Sequence, residues 1–98
     1  MTQTPEGKVK DAVKAVLGKY GVFYSMPVQT GYGSCMLDFH PCFLRGVGFC
    51  IETKAPGGRL TPRQANVIEL LHAQQIRTFV IRDAVTLNDL RLFLEAIP

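Results

Sequence analysis

The sequence has no tryptophan, only two histidines, and no apolar run approaching the ~18 residues of a membrane span. No membrane association is therefore expected, and the polar opening MTQTPEGKVKD lacks the apolar core of a secretory signal. Cysteine is sparse and odd in number: Cys35, Cys42 and Cys50, all among apolar neighbours. That usage argues against a secreted disulfide scaffold and for free thiols in a reducing cytoplasm. Charge is also thin, at 19% of residues, and 11 Lys and Arg against 8 Asp and Glu give a net +3. So mild a basic excess is compatible with a phosphate-bearing partner without demanding one. Low-complexity tracts, repeats and linkers are missing too. With 47% hydrophobic residues, the 98-residue chain is expected to fold as a single domain over 1–98.

What is present reads as alternating elements. Thr4 caps and Pro5 opens a helix whose apolar residues Val9, Ala12, Val13, Val16, Leu17 and Tyr20 recur at helical spacing as far as Gly21. Val22–Val28 is a β-rich run ending in the loop 29–34, and Cys35–Phe39 and Gly48–Lys54 read as an antiparallel pair joined through residues 40–47. After the loop Ala55-Pro56-Gly57-Gly58, Thr61-Pro62-Arg63-Gln64 carries capping-box chemistry. It opens a second helix with Val67, Ile68, Leu70 and Leu71 as its buried face. Arg77–Ile81 is a short buried strand, and Thr86 starts a last helix through Leu90, Phe93, Leu94 and Ile97. The order α-β-β-β-α-β-α implies an α/β fold: a mixed four-stranded sheet flanked by helices, with one strand returned parallel by the second helix.

Charged residues in apolar strands are costly to bury without a partner, on the order of several kcal/mol. Glu52 and Lys54 share one strand face by alternation, with Cys50, while Ile51 and Thr53 take the other. Asp38 is a lone carboxylate between Leu37 and Phe39, and antiparallel pairing would bring it beside Glu52. Two carboxylates and a lysine on one sheet face make a hard-oxygen site for a divalent cation, with an ammonium to hold a water or a phosphate oxygen. The competing reading is a Glu52–Lys54 pair exposed at a strand end with Asp38 as a turn residue.

Asp38, Glu52-Thr53-Lys54 and the attached run Ala55-Pro56-Gly57-Gly58-Arg59-Leu60-Thr61-Pro62-Arg63-Gln64 together resemble the VRR-NUC branch of the PD-(D/E)XK nuclease superfamily. The likeness is to its short stand-alone members from phages and bacteria, and spans Glu6 to Val80. The family's usual Pro-Asp is here Leu37-Asp38, which keeps the carboxylate. The resemblance implies a restriction-endonuclease-like core and a Mg²⁺-dependent endodeoxyribonuclease, with Mn²⁺ able to substitute. It implies metal binding by Asp38, Glu52 and the Thr53 carbonyl, and positioning of the attacking water by Lys54. It also assigns a Glu of the first helix, here Glu6, and a Gln facing the catalytic lysine, here Gln64. On residue chemistry alone, Glu6 also suits the helix dipole and an i+4 pair with Lys10, and Gln64 suits a capping box.

Lys10, Lys14, Arg45, Arg59 and Arg63 are candidates for contacts to backbone phosphates, and Tyr32 for stacking on an unpaired base, each against the alternative of an ordinary surface or packing residue. The stand-alone relatives act as homodimers on branched DNA such as Holliday junctions. Leu92 and the Phe43-Leu44 pair offer apolar surface for dimerisation here, or else complete the core. The expected setting is the cytoplasm of a bacterium or a phage-infected host. The rival reading is a catalytically silent DNA-binding module of the same fold. A zinc site would need Cys35, His40, Cys42 and Cys50 to converge, and their spacing lacks the C-x₂₋₄-C knuckle. His72 is expected to serve only the dipole of the second helix.

Overall fold

The hydroxyl of Thr4 accepts the Gly7 N–H at 3.0 Å and opens helix α1, Pro5–Tyr20, which Gly21 ends at φ 73°. Only the absence of a side chain makes that left-handed stop inexpensive. The structure, a computed structural model, describes residues 3–28 and 36–98. After α1 come strands β1 (Phe23–Tyr24), β2 (Phe39–Leu44) and β3 (Val47–Thr53), helix α2 (Pro62–Ala73), strand β4 (Arg77–Ile81) and helix α3 (Ala84–Ala96). The sheet order is β1-β2-β3-β4. The first two pairings are antiparallel, and β3–β4 is parallel through the α2 crossover. The α/β class, the element order and the mixed four-stranded sheet are thus as expected.

One face of the sheet carries the core. Phe39, Cys42 and Leu44 of β2, Phe49 and Ile51 of β3, and Phe79 and Ile81 of β4 pack with Val13, Val16 and Leu17 of α1 and Leu90 and Leu94 of α3. Phe49, Phe79 and Phe93 meet with ring centroids 5.0–6.1 Å apart, in tilted or edge-on geometry. The Arg77 guanidinium lies over two of those rings, 4.9 Å from Phe79 and 5.5 Å from Phe93. Burying each large apolar side chain here contributes about 1.5–3 kcal/mol.

The structure moves several boundaries. The first strand shrinks from 22–28 to two residues, since Pro27 has no N–H for a ladder; pairing still continues through Ser25, which exchanges hydrogen bonds with His40 and Pro41 of β2. The second strand begins at Phe39, where it was expected to end, and residues 40–44 form strand in place of a connecting loop. The register shifts between Phe39 and Cys42, so the buried residues Phe39, Cys42 and Leu44 step by three and then by two. This β-bulge hides the strand from any test of strict alternation. Leu44 therefore belongs to the core, whereas Phe43 is 46% and Leu92 57% exposed.

The last helix starts two residues earlier than Thr86. Asp83 is its cap and Thr86 completes a reciprocal box: the Asp83 carboxylate accepts the Thr86 N–H at 2.9 Å, and the Thr86 hydroxyl accepts the Asp83 N–H at 3.1 Å. Those bonds hold the Asp83 carboxyl below its ordinary pKa. The buried face expected of α2 is not found: Val67, Ile68 and Leu71 are half-buried and Leu70 is 60% exposed. This helix lies against β4 on the second sheet face, which supplies polar partners as well as apolar ones. His72 in its last turn does more than meet the dipole, since its Nε2 shares a 2.6 Å hydrogen bond with the Thr78 hydroxyl of β4.

Candidate active site

The site forms where β3 ends, between the chain entering β2, helix α1 and the start of α2. The ladder pairs Phe39 with Ile51, so the next positions outward, Asp38 and Glu52, face each other. The Asp38 N–H donates to Glu52 Oε1 at 3.1 Å. Asp38 Oδ2 accepts two bonds from Thr53, from its N–H at 3.0 Å and its hydroxyl at 2.6 Å. Asp38 Oδ1 faces Lys10 Nζ of α1 at 3.7 Å. The aspartate is thus fixed by β3 on one side and met by a cation on the other.

Glu52 is 3% exposed, and each of its oxygens has a partner. Oε2 accepts from Gln64 Nε2 at 2.9 Å and lies 3.6 Å from Lys54 Nζ. Burial, and after it the nearby charge of Asp38, push the Glu52 carboxyl up to about 7. The Asp38 N–H and the Lys54 ammonium pull the other way, and Glu6 adds a smaller upward push. Near neutral pH this carboxyl is poised between its charged and neutral forms.

Gln64 completes the cap expected of it, and its free amide nitrogen meets Glu52 where the resemblance implied a contact to the lysine. Its Oε1 accepts the Thr61 N–H at 3.0 Å and its N–H donates to the Thr61 hydroxyl at 3.2 Å, completing the capping box, while its Nε2 is left to reach Glu52. The cap that starts α2 also orients a site side chain. Glu6, half-buried in the first turn of α1, is near enough to Glu52 to act on it electrostatically.

The structure brings together Asp38, Glu52, Thr53, Lys54, Gln64 and Lys10, with Glu6 alongside. Lys14 is exposed one turn beyond Lys10, Arg63 is exposed next to Gln64, and Arg59 is exposed on the intervening loop. Arg45 is not brought to the site. It occupies the β2–β3 turn at the other end of the hairpin, about 20 Å away at ~3.3 Å per residue, where its guanidinium donates to the carbonyls of Ile97 and Pro98. Tyr32, the loop 29–34 and Cys35 lie outside the described residues.

Sequence reasoning missed the part played by the Thr53 side chain. It was considered only for its carbonyl, yet its hydroxyl and amide are what hold Asp38 in place. The available signal was a hydroxyl at a fully buried strand position, which must find an acceptor.

Two hard-oxygen carboxylates side by side, one of them raised in pKa by burial and then by the other, fit a divalent cation, because a positive charge between them would relieve their repulsion. Asp38, Glu52 and the Thr53 carbonyl are the groups that would hold it. Among the described residues no three His, Cys, Asp or Glu side chains gather as a metal-holding group. Cys42 and Cys50 are buried free thiols among the described residues: burial, and then the neighbouring Cys50, push the Cys42 thiol up to about 12, and burial pushes Cys50 up to about 11.

No known family profile and no curated protein matches this chain. A solved structure does: a VRR_NUC domain superposes with a TM-score of 0.78 at 22% sequence identity, covering 91% of this chain and 96% of that one. The chain therefore shares the fold of that VRR_NUC domain. Among the described residues no helix is long and apolar enough to cross a membrane.

Proposed function

We propose that this chain is a metal-dependent DNA endonuclease of the PD-(D/E)XK type, using Mg²⁺ or, in its place, Mn²⁺. The observation that carries the reading is the convergence of Asp38, Glu52, Lys54 and Gln64 at the end of one strand, with Glu52 buried and Lys54 held 3.6 Å from it. Asp38 and Glu52 would hold the cation, which when bound offsets charge building on the phosphate and acidifies the attacking water. Lys54 supplies an ammonium donor that can orient that water and steady a phosphate oxygen. Gln64 and Thr53 fix the two carboxylates, so little reorganisation accompanies reaction. Lys10, Lys14, Arg59 and Arg63 provide cationic surface around the site for the substrate backbone.

The preferred substrate on this reading is branched DNA such as a Holliday junction, cut by a homodimer in the cytoplasm of a bacterium or phage-infected cell. One such site cuts one strand, so paired symmetric cuts require two-fold association. Exposed Leu92 is available to such a contact. Incubating the protein with supercoiled plasmid and with a synthetic four-way junction, with and without Mg²⁺, tests the activity. Sedimentation at micromolar protein tests for twice the monomer mass. Binding without cleavage under every metal condition would instead identify a silent DNA-binding module.

A further inference from the structure

A second feature occupies the same end of the sheet as the carboxylates. Between the first turns of α1, the loop after Lys54 and the start of α3 lies a cleft of about 390 Å³, walled by Val9, Pro56, Ile81 and Leu87. Its polar side chains are Lys8, Arg82 and Asp83. The Asp83 carboxylate is already engaged, accepting the N–H of Thr86 at 2.9 Å and its hydroxyl at 2.8 Å, so the two cations are the groups left to meet a ligand. The cleft neighbours the candidate active site. Pro56 is two residues beyond Lys54, and the Lys54 N–H is bonded to the carbonyl of Ile81 at 3.0 Å. Helix α1 has one flank on each, with Glu6 and Lys10 toward the carboxylates and Val9 toward the cleft.

An apolar slot with cations at its rim, beside a phosphodiester site, suits a ligand with a flat apolar body and an anionic flank. We propose that the cleft takes an unstacked nucleotide of the substrate strand adjoining the scissile phosphate, its base against Pro56 and the aliphatic walls and its phosphate near Lys8 and Arg82. This rests on the nuclease reading above. It adds a reason for preferring DNA with an unpaired or branched position: inside a continuous duplex the base is stacked and cannot enter. The size is appropriate, since ligand clefts begin at about 300 Å³ and a single nucleobase needs less.

The test is binding of the wild-type protein to junction and gapped oligonucleotides, followed by fluorescence anisotropy with Ca²⁺ replacing Mg²⁺ so that binding is read apart from cutting. Each probe is compared with one bearing an abasic site next to the branch or gap. Removing that base should weaken binding about ten-fold, as expected from losing a modest area of apolar burial against aliphatic walls. Ala84→Phe, which adds a ring at the cleft wall, should erase the difference between intact and abasic probes while leaving continuous-duplex binding within two-fold. Equal affinity for intact and abasic probes, with the base moved through each flanking position, overturns the cleft assignment and leaves the nuclease reading intact. Failure of the wild type to bind any DNA overturns both.

Discussion

The Asp38 backbone donates to the carboxylate of Glu52, while the Asp38 side chain accepts from Thr53, the next residue along β3. The two acids are thus tied to each other through main chain, in a geometry that keeps both oxygen pairs at one strand end despite their repulsion.

Asp38→Asn keeps an acceptor for Thr53 and removes one negative charge. Cleavage should fall by two or more orders of magnitude, with the melting temperature unchanged or raised in the absence of metal. The Glu52 carboxyl should move below about 7, since Asp38 is the second contributor to its elevation after burial. Carboxyl-carbon NMR titration reads the shift; an unchanged titration or retained cleavage contradicts the site.

Lys54→Ala should abolish cleavage while Mg²⁺ or Mn²⁺ affinity at pH 8 stays within a few-fold of wild type or rises, because the lysine repels a cation. Isothermal calorimetry decides. Loss of metal binding along with activity gives Lys54 a structural part.

Raising pH should destabilise the metal-free protein and strengthen its response to metal. The folded Glu52 binds its proton up to about 7, whereas an unfolded glutamate releases it near 4.5, so between those values the folded state holds more protons and stability declines as pH rises. The cost at pH 8 is on the order of 3 kcal/mol. Added Mg²⁺ competes with that proton, so its increment in melting temperature should be larger at pH 8 than at pH 6. The same increment at both would mean Glu52 is not a ligand.

Gln64→Glu preserves the cap acceptor toward Thr61 but sets a third carboxylate against Glu52. Helix α2 should stay formed by circular dichroism and cleavage should drop at least ten-fold. Gln64→Ala loses the cap too and should cost about 1 kcal/mol of stability. Full cleavage retained by Gln64→Glu would mean that the bond to Glu52 carries no separate role.

Most of this was open to a reader of the sequence. The α1 boundaries follow from Thr4, Pro5 and Gly21, and the adjacency of Asp38 and Glu52 from treating their strands as an antiparallel pair. The hairpin between them was misplaced because Pro41 and the bulge make Phe39–Leu44 look irregular, although the paired register resumes beyond it. Gln64 could be read as a cap or as a site residue, but only coordinates show one amide serving both, with oxygen to Thr61 and nitrogen to Glu52. Arg45 reads as a candidate for a phosphate contact; its bonds to Ile97 and Pro98 join positions more than fifty residues apart, which local pattern cannot reveal.

Strand β3 is paired on both edges, by β2 and by β4, and Glu52 and Thr53 belong to it; Asp38 precedes the first residue of β2. The two acids therefore differ in how readily they leave their places. Amide exchange at Glu52 should require nearly global opening, whereas fraying of β2 at Phe39 would release Asp38 and with it the Thr53 amide that Asp38 accepts. On warming, the protein would disarm itself before it melts, losing one carboxylate from the pair while the sheet is still intact.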